Sequence, residues 1–114
     1  MPIDFTFSQE VEDARLLMRN FLHETVKPQF AAMRENKDAT REDWSKLVKS
    51  LRHTAKAEGF WLPHMPQEVG GMGLGVTALA AVSAEAAKVP MGPYIINAQA
   101  PDEGNMHTLY HFAT

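Results

Sequence analysis

The chain has 114 residues, 45% of them hydrophobic and 22% charged, with a formal net charge of -3 and no cysteine. That is the length of one domain with apolar content for one core, and the absence of cysteine excludes disulfides, a thiolate nucleophile and a cysteine-ligated zinc. The 11 basic residues form no run that would suit nucleic acid or an anionic membrane. No apolar run approaches the roughly 20 residues of a membrane span. The start, Met1-Pro2-Ile3-Asp4-Phe5, lacks the charged and apolar regions of a secretory leader, so a soluble, cytoplasmic chain is expected.

The periodicity is helical nearly throughout. A first helix is predicted over about Ser8 to Val26, with Val11, Ala14, Met18, Phe21, Leu22 and Thr25 on one stripe. Thr6 and Gln9 have the spacing of a capping box. Pro28 is expected to kink or end this helix, because it lacks an N–H and crowds the preceding turn; a short helical piece around Phe30 to Met33 follows. A second helix is predicted from Arg41 to Glu58, with Thr40 as its N-cap and Glu42 and Asp43 favoured by the dipole. Trp44, Leu47, Val48, Leu51 and Ala55 mark its inner face, and Gly59 is its natural stop.

Phe60-Trp61-Leu62 is too short for another helix and reads as an extended segment that drives aromatic rings inward. Pro63, Pro66, Gly70, Gly71, Gly73 and Gly75 then punctuate a loop. An alanine-rich third helix is predicted over Val76 to Lys88; its small side chains permit close approach and suggest the most buried helix. Pro90, Gly92 and Pro93 end it, Tyr94 to Ala100 forms an apolar linker, and Asp102 caps a last helix, Glu103 to Phe112, with Met106, Leu109 and Tyr110 inward. The expected fold is all-α: a small bundle of about four main helices joined by Gly/Pro-rich loops.

Three features invite a chemical reading. Gly71-Met72-Gly73-Leu74-Gly75-Val76 nearly matches a dinucleotide fingerprint, but its last glycine is displaced and prolines stand where the preceding strand belongs. A tight turn into a helix explains it better. His107 and His111 stand four apart with Glu103 one turn earlier, a spacing that metal sites use; two ligands specify little, a solvated helix face is the simpler account, and no metal is expected. Glu85 lies in the most apolar helix, where an unpaired acid has its pKa raised and could act as a base. A structural role, paired with Arg or Lys across a domain boundary, is favoured over catalysis. No serine sits on a nucleophile elbow.

Several of these segments, in this order, carry a family likeness. Phe7-Ser8-Gln9-Glu10 to Val26-Lys27-Pro28, then Gly59-Phe60-Trp61-Leu62-Pro63 with Gly70-Gly71-Met72-Gly73-Leu74, then Ser83-Ala84-Glu85-Ala86-Ala87-Lys88, and finally Ala100-Pro101-Asp102-Glu103-Gly104-Asn105-Met106-His107-Thr108-Leu109 resemble the N-terminal helical domain of the acyl-CoA dehydrogenases. The last segment is similar to the branch of family members ten and eleven. One departure is visible: the family often has two adjacent acids in the third helix, and here Ala86 follows Glu85.

The resemblance implies a parent enzyme that desaturates acyl-CoA thioesters in fatty acid oxidation. Such a parent has a middle β-domain and a C-terminal helical bundle, FAD held mostly between them, an electron-acceptor flavoprotein as partner, and a homo-oligomeric state. It implies that the base and the flavin contacts lie outside residues 1–114, that this chain alone is inactive and does not hold FAD, and that it contributes no catalytic residue. Tyr94, Ile95, Ile96, Asn97 and Ala98 are the residues it nominates for a wall of the acyl pocket, with simple loop packing as the alternative; Glu85 is the interdomain residue. A self-sufficient helical interaction module without chemistry is the competing function, and acyl-CoA oxidases and flavin monooxygenases share the architecture.

Overall fold

The computed structural model describes residues 3–114; Met1 and Pro2, weighed above as part of a leader, lie outside them. Among the described residues the architecture is helical, with no strand. The order is α1 (Gln9–Asn20), a π-helical segment (Phe21–Val26), α2 (Lys27–Glu35), α3 (Arg41–Ala57), a 3-10 turn (Gln67–Val69), α4 (Val76–Ala87), α5 (Gly92–Ile95) and α6 (Asp102–Phe112). The molecule is a slab whose shortest dimension is 22 Å, the thickness of two layers of helices.

The first helix does not end at Pro28. Its cap is Ser8, whose hydroxyl accepts from Val11 N–H at 3.4 Å, whereas Thr6 lies in the arm before it with its N–H donated to Asp4; the Thr6–Gln9 box is therefore corrected. From Gln9 the chain stays helical to Glu35. The π segment makes this possible. Its wider turn bonds the Lys27 N–H to the Leu22 carbonyl, five residues back. Pro28, which has no N–H to donate, follows directly as the second residue of α2. Phe21, Leu22 and Val26 of the widened turn are all buried.

α3 follows its expected signals. The Thr40 hydroxyl accepts from Asp43 N–H at 3.2 Å, and the Asp43 carboxylate accepts from Thr40 N–H at 2.9 Å, closing a capping box. Gly59 stops the helix with φ +86°, a conformation that glycine adopts without Cβ strain. Leu51 and Ala55 are buried, while Trp44, Leu47 and Val48 are half-buried against the core. Phe60 stacks on Phe21 at 4.7 Å, which carries the segment after α3 onto the π turn.

α4 buries Ala81, Val82, Glu85 and Ala86, and its principal neighbour is α1. Ala80, Ser83, Ala84 and Ala87 face outward, so only one side of the alanine-rich helix is in the core. α6 also departs from expectation. Asp102 begins the helix rather than capping it. Met106 is half-buried, but Leu109 and Tyr110 are exposed; Tyr110 reaches the body only through its hydroxyl, which donates to the Glu68 carboxylate.

Two glycines differ sharply in what surrounds them. A Cβ on Gly71 would stand 2.1 Å from the Met65 carbonyl oxygen, whereas one on Gly104 of α6 would meet nothing within 4 Å. Gly71→Ala should destabilise the fold by about 2 kcal/mol, since backbone cannot yield to the added atom. Gly104→Ala should stabilise it by about 0.5 kcal/mol by restricting the unfolded chain and favouring helix. Urea unfolding of the two variants beside the parent checks both signs.

Candidate functional site

Glu85 projects from the buried side of α4 toward α1. Its Oε1 accepts from the Arg15 guanidinium at 2.6 Å and from Lys88 Nζ at 3.2 Å. Arg15 also pairs with Glu12 one turn earlier on α1. The charge pattern therefore runs Glu12, Arg15, Glu85, Lys88 across the α1–α4 seam, within this chain. Glu85 Oε2 is buried and has no hydrogen-bond partner among the described residues. Burial is the largest influence on the carboxyl and pushes its pKa up, but the hydrogen bonds and charges of Arg15 and Lys88 together outweigh it and hold the pKa below the usual glutamate value. A general base for an acidic carbon would want the opposite shift, so the arrangement is that of a clamp.

The linker after α4 does not present one surface. Ile95 and Ile96 are fully buried in the core. Tyr94 is half-buried on the α3 side, Asn97 takes φ +59°, and Ala98 borders a void of about 30 Å³ with Ser83, Ala86, Pro93 and Ile96. Two ties fix this linker. Leu62 N–H donates to the Ile96 carbonyl at 3.0 Å. Arg52 of α3 donates to the Tyr94 carbonyl and lies between two rings, 4.2 Å from the Tyr94 centroid and 4.9 Å from that of Trp61. Arg52 carried no signal in the sequence, because the carbonyl it bonds is 42 residues away in the chain.

The glycine turn is closed on itself. The N–H groups of Gly70, Gly71, Met72 and Gly73 donate to the carbonyls of Gln67, Pro66, Leu62 and Met65 at 2.9–3.1 Å. Those amides are not free to cradle a phosphate. With no strand before it, the loop does not fit the pyrophosphate of a dinucleotide or of FAD.

His64, which had no partner in the sequence pattern, is buried beside α6. Its Nε2 stands 3.4 Å from Met106 Sδ and its ring 5.5 Å from that of His107, which stacks in turn on His111 at 6.2 Å. Among the described residues no group of three or more His, Cys, Asp or Glu converges in a way that could hold a metal ion. The buried His64 Nδ1 has no hydrogen-bond partner among the described residues, and burial holds this imidazole's pKa below 6.5, with the Glu103 charge opposing the shift and His107 reinforcing it.

Both groups have consequences for stability. Arg15→Met should destabilise more than Glu85→Gln, because the first leaves a buried carboxylate with Lys88 alone while the second removes the charge itself; thermal melts of the two variants give the ranking. For His64 the folded pKa lies below the unfolded one, so the unfolded chain binds more protons between the two values. Stability is then lost as pH falls below 6.5. Urea midpoints measured from about pH 7 to about pH 5 should fall in the parent and fall less in His64→Leu.

Comparison with known proteins assigns the family. The family model described as "Acyl-CoA dehydrogenase, N-terminal domain" matches residues 8–114. The chain is similar to acyl-CoA dehydrogenase family member 11 of Gallus gallus, 30% identical over 115 residues, and to the proteins of that name from Pongo abelii and Homo sapiens, at 26% and 25% over 118 residues. Each alignment covers 96% of this chain but 14% of the relative, so the chain spans about one seventh of their length. No solved structure matches the chain. Among the described residues no helix is long and apolar enough to cross a membrane. With the family model covering nearly all of its helical body, the chain belongs to the acyl-CoA dehydrogenase family, as an N-terminal domain.

Proposed function

We propose that this chain is the N-terminal part of an FAD-dependent acyl-CoA dehydrogenase that desaturates acyl-CoA thioesters, and that by itself it is inactive. The observation that carries the proposal is the family match across residues 8–114. The exposed apolar side chains support it: Val76, Leu109 and Phe112 are 85%, 64% and 81% exposed, as expected of a domain whose neighbours cover it. FAD would be held by those neighbours, since the glycine turn of this chain does not fit it. An electron-acceptor flavoprotein and a homo-oligomeric parent belong to the same proposal.

The part assigned to this chain is shape. In this reading Tyr94, Asn97 and Ala98, all half-buried, form the exposed part of a wall for the acyl chain, and Ile95 and Ile96 support them from the core. Arg52 acts as a positioning residue, because it holds the Tyr94 carbonyl and ring in place. Glu85, locked to Arg15, keeps α4 in register so that the linker leaves it at a fixed point, and its Ala84–Ala87 side lies toward a neighbouring domain.

Mixing the chain with the middle and C-terminal domains of its parent is expected to give a complex that retains flavin through gel filtration and whose visible flavin absorption bleaches when an acyl-CoA thioester is added. Arg52→Ala in that complex should raise KM several-fold with a smaller change in kcat. If flavin retention and bleaching are the same with and without this chain, the interaction-module reading replaces the enzymatic one.

A further inference from the structure

α2 and α3 do not close against each other along their length. They are bridged by Phe30 and Trp44, whose rings stack at 5.9 Å. Beyond this stack the helices, together with Pro90, Met91 and Tyr94, enclose a groove of about 420 Å³. Its apolar surface comes from Phe30, Trp44, Val48, Met91 and Tyr94. Met91 is 48% exposed, between an exposed Pro90 and a buried Gly92.

The charge in this groove is one-sided. Arg34 enters from the last turn of α2, and Arg41 and Lys49 from α3, while among the described residues no carboxylate lines it. Arg41 and Lys49 are two turns apart, about 12 Å along the helix axis. Among the described residues the ion pairs use Arg15, Lys46 and Lys88, and none involves these three cations. The chain as a whole has 14 acidic residues against 11 basic ones, so three cations without an acid run against its average. Cations of one sign lining an apolar recess raise the local concentration of anions there.

We propose that this groove binds a small organic anion with an apolar body. Its carboxylate is held by Arg34, Arg41 and Lys49, and its alkyl or aryl part lies on Trp44, Met91 and Tyr94. A neutral apolar ligand would use the aromatic wall but none of the three cations along it. The volume lies in the range of small-molecule pockets, about 300–1,000 Å³, and guanidinium groups match carboxylate geometry through paired N–H donors. The groove shares only Tyr94 with the linker wall discussed above, and the proposal stands apart from the dehydrogenase reading.

Calorimetric titration of the unmodified chain with decanoate, 4-phenylbutyrate and their neutral alcohols, decanol and 4-phenylbutanol, tests it. At least one carboxylate should bind saturably, at least tenfold more tightly than its alcohol, and less tightly as salt is added. Arg41→Gln with Lys49→Gln should weaken that carboxylate at least tenfold without lowering the thermal midpoint, since both side chains are exposed. Because the chain has two tryptophans, Trp61→Phe leaves Trp44 as the only indole, and its emission should shift along the same isotherm. Preference for decanoate or for 4-phenylbutyrate identifies the body as alkyl or aryl. No saturable binding by either carboxylate, equal affinity for acid and alcohol, or an unaltered constant in the double variant would overturn the proposal.

Discussion

A carboxylate buried in an alanine-rich helix constrains everything around it. Glu85 is 2% exposed, and an ionised group so placed is tolerated only with a charge partner and hydrogen bonds. Arg15 supplies both from α1. Small side chains such as Ala81 and Ala86 can slide past a neighbour with little penalty, because they offer few interlocking shapes. The Arg15–Glu85 pair removes that freedom: moving α4 by one turn along α1 would strand the carboxylate in apolar surroundings. A buried pair of this kind contributes modestly to net stability, but it selects one register, and that register sets where the linker after α4 begins.

The other element that α1 must satisfy is the core beneath α3. Met18, Phe21, Leu22, Val26 and Phe30 are all buried in one cluster with Leu51 and Ala55. A regular α-helix ending at Pro28 would leave Phe30 on a separate piece of chain. The π turn over Phe21–Val26 lets one continuous helix carry all five residues. The same turn presents Phe21 to Phe60, so the widened turn and the aromatic segment after α3 are packed as a unit. Phe30 is then held where it can stack on Trp44, which is what keeps α2 and α3 at the spacing of a groove.

Much of this was legible in the residues, and the failures have physical reasons. α3 was readable because its limits are local: Thr40 and Asp43 form the cap, and Gly59 the stop. The passage through Pro28 was not, since the rule for proline assumes an α ladder and no residue type announces a π turn. The inward side of α6 was misjudged at Leu109 and Tyr110. Periodicity shows which positions are apolar but not whether anything covers them, and α6 touches the body at Met106 beside His64 and through the Tyr110 hydroxyl on Glu68. The run Tyr94 to Ala98 gives no sign of which side chains are buried; a left-handed Asn97 and the α5 turn place Ile95 and Ile96 in the core while Tyr94, Asn97 and Ala98 stay half-buried. Arg52 and the grouping of Arg34, Arg41 and Lys49 had no sequence signal, because helix packing alone brings them to their neighbours.

Arg52 shows how these levels meet. It leaves α3 one turn beyond Val48, which lines the groove, and reaches the Tyr94 carbonyl at the start of the linker. Tyr94 therefore has one ring face against a guanidinium while lining the groove on the α3 side. A ring stacked on a guanidinium is held in place, and this one stands where the groove meets the linker that leads to α6. Displacing Tyr94 would break the carbonyl bond and the stacking on Arg52 together, and would disturb Ile95 and Ile96, which are packed in the core behind it. The α1–α4 clamp fixes where the linker starts, and Arg52 fixes which way it turns. Both surfaces on either side of Tyr94 inherit their shape from those two arginines.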